Sequence, residues 1–210
     1  GAGLAAADTA CACARAGGAP TQFLGAMGND AFAVPLEASL QQAGVQCLIQ
    51  RAPQDKTGTA FICVSDDAEN AITVAPGANR FLQPHHLPDL RGVSHLLLQL
   101  ETPLPTVQAF AQAAHAQGVQ VVLNAAPAQP LPAELWAALD ILIVNEGELR
   151  TLAGAGSSIV EYLAQIPVPT VIVTLGAAGC CARSNGTLVF QSAFAVQAVD
   201  TTGAGDTFCG

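Results

Sequence analysis

Two hydrophobic periods take turns along this chain, one near four residues and one near two. The Ala-rich stretch 4–17 carries the helical period and ends at Gly17-Gly18, a C-terminal stop signal. Thr21–Leu24 then reads as a short strand, Phe32–Ala43 as a helix stopped by Gly44, and Val45–Ile49 as a strand. Thr57–Val64 and Ala71–Val74 are β runs on either side of the polar segment Ser65–Asn70, a hairpin signal. Further on, the pattern predicts strands at His95–Leu100, Val119–Leu123, Ile141–Val144 and Thr170–Thr174. Helices are predicted at 104–117, ended by Gly118, and at Ser158–Gln165, while Leu135–Leu139 leads into the strand at Ile141. Cys180–Ser184 and Thr187–Gln191 flank Asn185-Gly186, the strongest two-residue hairpin turn in the chain. The run FAVQAV (194–199) reads as strand-like.

Strands separated by helices of about 10–15 residues imply βαβ units and a largely parallel sheet. The apolar runs LLLQL (96–100) and ILIV (141–144) fit strands covered on both faces. The expected fold class is therefore α/β: one domain over 1–210, three-layer α/β/α, with a mainly parallel central sheet. The hairpin at 57–75 breaks the alternation and is expected to stand off that sheet. No internal repeat, linker or low-complexity tract interrupts the pattern. The chain starts within an apparent helix and stops one turn into another, so it reads as part of a longer protein.

Composition narrows the function classes. Apolar residues make up 51% of the 210, and charged ones only 11%. A domain of this size hides roughly 70% of its unfolded surface. No apolar run reaches the ~20 residues of a membrane span, so no membrane partner is expected. The net charge is −9, with seven basic residues against sixteen acidic. That balance argues against nucleic acid, which needs clustered Lys and Arg. It does not argue against a nucleotide, which backbone N–H groups can hold. The seven cysteines (Cys11, Cys13, Cys47, Cys63, Cys180, Cys181 and Cys209) include no C-x-x-C pair. They read as reduced thiols of a cytoplasmic protein without a signal peptide. The four histidines are scattered without metal spacing.

In parallel α/β sheets, ligands bind beyond the C-terminal ends of the strands. Four polar clusters fall at such ends: Glu101 after LLLQL; Asn145 and Glu148 after ILIV; Thr174, Gly176 and Gly179 after VIV; and Asp200 to Asp206 after FAVQAV. The last is the most informative. Gly203, Ala204 and Gly205 form a turn of small residues opening a helix. Its outward N–H groups and helix dipole suit the charge that develops on a transferring phosphoryl group. Asp206 lies inside that turn, where a carboxylate can take a proton from a substrate hydroxyl. Each cluster also has a plain structural reading. Asn145 can be an N-cap with Glu148 as its capping-box partner, and the glycines can be tight turns.

Together these residues resemble the ribokinase-like family of carbohydrate kinases, over nearly the whole chain. DTTGAGDTF (200–208) is similar to that family's second signature, VNEGE (144–148) to its N-x-x-E motif, and VTLGAAG (173–179) to its nucleotide-binding turn. VAPGAN (74–79), LQLETPL (98–104) and LNAAPA (123–128) resemble the ribokinase branch most. The resemblance implies an ATP-dependent sugar kinase acting on a primary hydroxyl, with ribose the leading substrate. Asp206 would be the catalytic base and Gly203, Ala204 and Gly205 the anion hole. Asn145, Thr174, Gly176 and Gly179 would bind ATP, with Glu148 on Mg²⁺ through water. Gly3, Asp8, Glu101 and Asp206 would contact the sugar. Asp200 and the Thr202 carbonyl would hold a monovalent cation, with K⁺ as activator. The hairpin would be a lid, and through it the protein would form a homodimer.

One segment departs from the family. Where ribokinases read G-G-K-G-A-N, this chain reads Gly3-Leu4-Ala5-Ala6-Ala7-Asp8. The lysine is absent and a carboxylate, which only accepts hydrogen bonds, replaces an amide. The sugar contacts therefore differ. A ketose, a sugar acid or a nucleoside becomes an alternative substrate of the same family chemistry, and a non-catalytic sugar- or nucleotide-binding relative is the alternative outside it.

Overall fold

A computed structural model describes residues 5–64, 70–197 and 201–210, with no account of side chains at 17 and 61–73. They fall into two units, Gly1–Leu87 with Thr202–Gly210, and Pro88–Thr201.

The first unit opens with α1 (Ala5–Gly17), followed by β1 (Gln22–Met27), α2 (Ala33–Gln42) and β2 (Gln46–Arg51). β1 and β2 pair in parallel, with Gln22 opposite Gln46 and Met27 opposite Arg51. The two-residue period of β1 sorts its side chains. Phe23 and Met27 enter one buried cluster with Ala7, Ala10, Leu36, Leu40 and Val45. Ala26 enters another with Ala52, Ala78 and Leu82. β3 (Thr59–Val64) and β4 (Asn70–Ala75) follow as an antiparallel pair that joins no other strand among the described residues. The expected hairpin is present and stands alone; its turn at 65–69 lies outside the described residues. Two short 3₁₀ segments, Gly77–Phe81 and Pro84–His86, complete the run. The short helix α7 (Ala204–Cys209) also belongs here and packs on α1.

The second unit is a six-stranded sheet. Its strands are β5 (His95–Gln99), β6 (Gln120–Asn124), β7 (Ile141–Asn145), β8 (Thr170–Thr174), β9 (Cys180–Ser184) and β10 (Thr187–Gln191). They lie in the order β10-β9-β8-β7-β6-β5, and β5 to β8 are parallel. The crossovers carry α3 (Leu104–Ala116), α4 (Ala133–Trp136), α5 (Glu146–Ala153) and α6 (Ile159–Gln165). Val121, Val122 and Leu123 are all buried, as are Leu142, Ile143 and Val144. That is why these strands read as unbroken apolar runs: both faces are covered.

β9 and β10 add antiparallel strands to the edge of this sheet. Their turn places Asn185 at φ 49° and Gly186 at φ 80°, the left-handed pair that a two-residue hairpin requires. Arg183 fastens β9 by donating to the carbonyls of Leu163, Ile166 and Val168 at 3.1, 2.8 and 2.9 Å. One expectation fails. FAVQAV forms no strand over its described part, 194–197. Phe194 is 86% exposed and Val196 80%, so apolar content without a pairing edge did not make a strand.

Candidate active site

In the second unit, three of the four polar clusters expected from sequence follow strands of one sheet, at its C-terminal end. Asn145 is the last residue of β7 and Thr174 the last of β8, and they are direct register partners. Asn145 then caps α5. Its side-chain Oδ1 accepts from the Glu148 N–H at 2.8 Å, and Glu148 Oε2 accepts from the Asn145 N–H at 2.8 Å. This is a reciprocal capping box, so the plain structural reading of the pair holds as a fact of the fold. Burial pushes the Glu148 carboxyl above its usual range, and the Asn145 N–H partly offsets that.

After β8, Gly176–Ala178 makes a single 3₁₀ turn. Leu175 N–H donates to the Gly179 carbonyl at 2.8 Å, and Gly179 N–H to the Gly176 carbonyl at 3.1 Å. Gly179 sits at φ 108° beneath the end of β10, where a Cβ would overlap the Gln191 carbonyl oxygen. Only glycine fits there. Gly176 is exposed at φ 56° with open space around it. Glu101 follows β5 on the same end of the sheet, half-buried.

Two buried amides at this end were not anticipated. Gln99 and Asn124 are register partners at the ends of β5 and β6, 7% and 9% exposed. Gln99 Nε2 donates to Asn124 Oδ1 at 3.4 Å, and Asn124 Nδ2 to the Ile143 carbonyl at 3.2 Å. The polar letters inside LLLQL and VVLN were the available signal.

In the first unit, Gly203 precedes α7 in the left-handed conformation, φ 72°. The Thr207 N–H and its hydroxyl both donate to the Gly203 carbonyl, each at 2.9 Å, closing the first turn. Asp206 lies within that turn and is half-buried, while Ala204 and Gly205 are exposed. A Cβ on Gly203 or Gly205 would meet no atom within 4 Å. The small residues therefore leave this backbone uncovered by the described residues. Thr202 is exposed just before it. Asp8 lies exposed in the first turn of α1, the helix on which α7 packs. Gly3 and Asp200 lie outside the described residues.

Among the described residues no group of three or more His, Cys, Asp or Glu side chains is placed to hold a metal ion. Glu148 and Asn145 beside it present hard oxygen atoms, the donor type that suits Mg²⁺. No helix of the described residues is long and apolar enough to cross a membrane.

Known proteins resemble this arrangement throughout. The ribokinase of Haemophilus influenzae is 38% identical over 216 residues, covering 97% of this chain and 70% of the relative. The ribokinase of Staphylococcus aureus is 34% identical, covering 91% of this chain and 67% of the relative. Among solved structures, Arabidopsis thaliana ribokinase complexed with ribose and ATP matches with a TM-score of 0.88 at 32% identity, over 98% of this chain and 72% of that one. The family described as pfkB family carbohydrate kinase matches residues 1–210. Sheet, sheet-end residues, GAGD turn and these likenesses agree: the chain belongs to the pfkB family of carbohydrate kinases.

Proposed function

We propose that this protein transfers the γ-phosphoryl group of ATP to the primary hydroxyl of ribose, giving ribose 5-phosphate and ADP. The carrying observation is Asp206, held in the first turn of α7 directly after left-handed Gly203 and exposed Ala204 and Gly205. The Asp206 carboxylate accepts the proton of the sugar hydroxyl. The hydroxyl oxygen bonds to the γ-phosphorus as the bond to the bridging oxygen breaks, and ADP leaves with that electron pair. The N–H groups of the Gly203–Gly205 turn meet the charge of the transition state. Asn145, Thr174, Gly176 and Gly179 hold ATP, and Glu101 holds the sugar with Gly3 and Asp8. Mg²⁺ supplies charge neutralisation on the phosphates, with Glu148 as its protein-side carboxylate through water.

The same reading extends to a monovalent-cation site at Asp200 and the Thr202 carbonyl with K⁺ as activator. It also extends to a homodimer through the β3–β4 hairpin, to that hairpin as a lid within a single domain, and to a cytoplasmic location. Excluding water under a lid protects ATP from hydrolysis. Asp8 is the observation that favours a second substrate, because it stands where an amide reads the sugar in ribokinases. Turnover of the full-length protein with Mg·ATP against ribose, deoxyribose, ketoses, sugar acids and nucleosides tests both. Ribose is expected to give the highest kcat/KM. A higher value for another acceptor moves the substrate, and no turnover of any acceptor overturns the kinase reading.

A further inference from the structure

The β3–β4 hairpin has no neighbouring strand among the described residues, and a two-stranded hairpin is marginal alone. Its placement therefore depends on its root. Asp30, in the turn between β1 and α2, occupies that root with both carboxylate oxygens. Oδ1 accepts from the Phe32 and Ala33 N–H groups at 2.9 and 3.2 Å, fastening the start of α2. Oδ2 accepts from the Thr57 N–H at 2.6 Å, two residues before β3 begins. Thr57 is 3% exposed, and its hydroxyl oxygen accepts from the Gly28 N–H at 3.1 Å. The other root is tied to the first: Ala78 N–H donates to the Lys56 carbonyl at 2.8 Å. Backbones meet so closely here that a Cβ on Gly28 would overlap the Asp55 carbonyl, and one on Gly77 the Lys56 carbonyl.

We propose that Asp30 and Thr57 are positioning residues for phosphoryl transfer: they clamp the root of the β3–β4 hairpin to the β1–α2 turn, so that the hairpin closes over the sugar as a unit. Neither touches substrate. This rests on the reading of the hairpin as a lid. The clamp removes conformations that the hairpin would otherwise sample, so closure costs less ordering when the sugar arrives. Loosening the clamp leaves the ATP side unchanged, weakens the sugar's hold and lets water reach the phosphoryl group.

The test uses the full-length protein with Thr57→Val, Thr57→Ser and Asp30→Asn. Valine keeps the volume and removes the hydroxyl, serine restores the hydroxyl, and asparagine turns an acceptor oxygen into a donor that opposes the Thr57 N–H. Hydrogen exchange without ligands is read first. Thr57 and Ala78 amides are expected to exchange about tenfold faster or more in Thr57→Val and Asp30→Asn, and at the wild-type rate in Thr57→Ser. Amides of β7 serve as the unchanged reference. Kinetics are read second. In Thr57→Val the sugar KM is expected to rise about fivefold or more with the ATP KM unchanged, and the share of ATP hydrolysed without sugar phosphorylation is expected to rise. Thr57→Ser is expected to return both to wild type. Unchanged exchange refutes the clamp. Faster exchange with both KM values and the uncoupled hydrolysis unchanged, or with both KM values rising equally, reduces the clamp to fold stability and refutes the positioning role. If the wild-type protein phosphorylates no acceptor, the lid role falls with the kinase reading, and the exchange contrast alone decides whether the clamp exists.

Discussion

The sheet-end rim of the second unit and the α7 turn of the first are held by different means. At the rim, Asn145 and Glu148 satisfy each other's polar groups, Asn145 sits in register with Thr174, and Gly179 is pressed beneath β10. The rim is therefore built by its own hydrogen bonds before any ligand arrives. At α7, a six-residue helix, a left-handed glycine and two exposed small residues leave the turn open, with nothing near a Cβ at Gly203 or Gly205. A residue that both builds the fold and binds a ligand gives mixed effects when changed. A residue in an open turn gives a clean effect on turnover.

The sharpest break of this contrast is Asp206→Asn. It is expected to lower kcat about 10²–10⁴-fold with the ATP KM and the Tm near wild type. A mutant keeping more than about a tenth of the turnover removes Asp206 from the proton transfer. Gly179→Ala is expected next, and on stability first. The new Cβ meets backbone in a conformation unsuited to side chains, at a cost of about 1–3 kcal/mol, read in chemical unfolding. A fully stable Gly179→Ala protein would show that the turn yields, and would dissolve the contrast on the rim side.

Asn145→Ala is smaller and mixed. Loss of the cap costs about 1 kcal/mol, and the ATP KM is expected to rise in the same protein. A stability loss without any change in the ATP KM would make Asn145 a cap only. Gly205→Ala sharpens the other side. Nothing crowds the site, so stability should change by no more than about 0.5–1 kcal/mol, in the stabilising direction expected for Gly→Ala in a helix. Turnover should fall if phosphoryl oxygens approach that backbone. Wild-type kcat in Gly205→Ala would show that they do not.

The smallest effect concerns pH. Burial raises the Glu148 pKa in the folded chain above its unfolded value. Its ionised form therefore costs stability at neutral pH, and that cost disappears as pH falls through the raised folded value toward the unfolded one. Glu148→Gln keeps an acceptor for the Asn145 N–H, so without ligand it should raise the Tm slightly at neutral pH, with the gap closing in acid. With Mg·ATP the order should reverse, because the carboxylate is then used. Equal ligand-induced Tm shifts in both proteins would take Glu148 away from the metal.

Legibility followed the range of each signal. The helix at 104–117 and the turn at Asn185-Gly186 were read closely, since periodicity, stop glycines and left-handed turn residues act within a few positions. The capping box of Asn145 and Glu148 was legible as the plain structural alternative to their ligand roles, because that box spans three residues. The bond from Asp30 to Thr57 was not, because it joins positions 27 apart in sequence through a single carboxylate. Nor did the strand-like run FAVQAV reveal that it has no pairing edge over its described part.

The sequence by itself determined the alternation of helix and strand, the two hairpins, the strand-end polar clusters and the GAGD turn. All of these are set by local sterics, periodicity and backbone hydrogen-bonding chemistry. The broken alternation at 57–75 already set β3–β4 apart, and it pairs with no other strand among the described residues; only the tertiary structure decided that the β9–β10 hairpin joins the six-stranded sheet. Both hairpins pair their own two strands in antiparallel register. Which one gains a neighbour depends on an edge such as β8, supplied by residues far away in the chain.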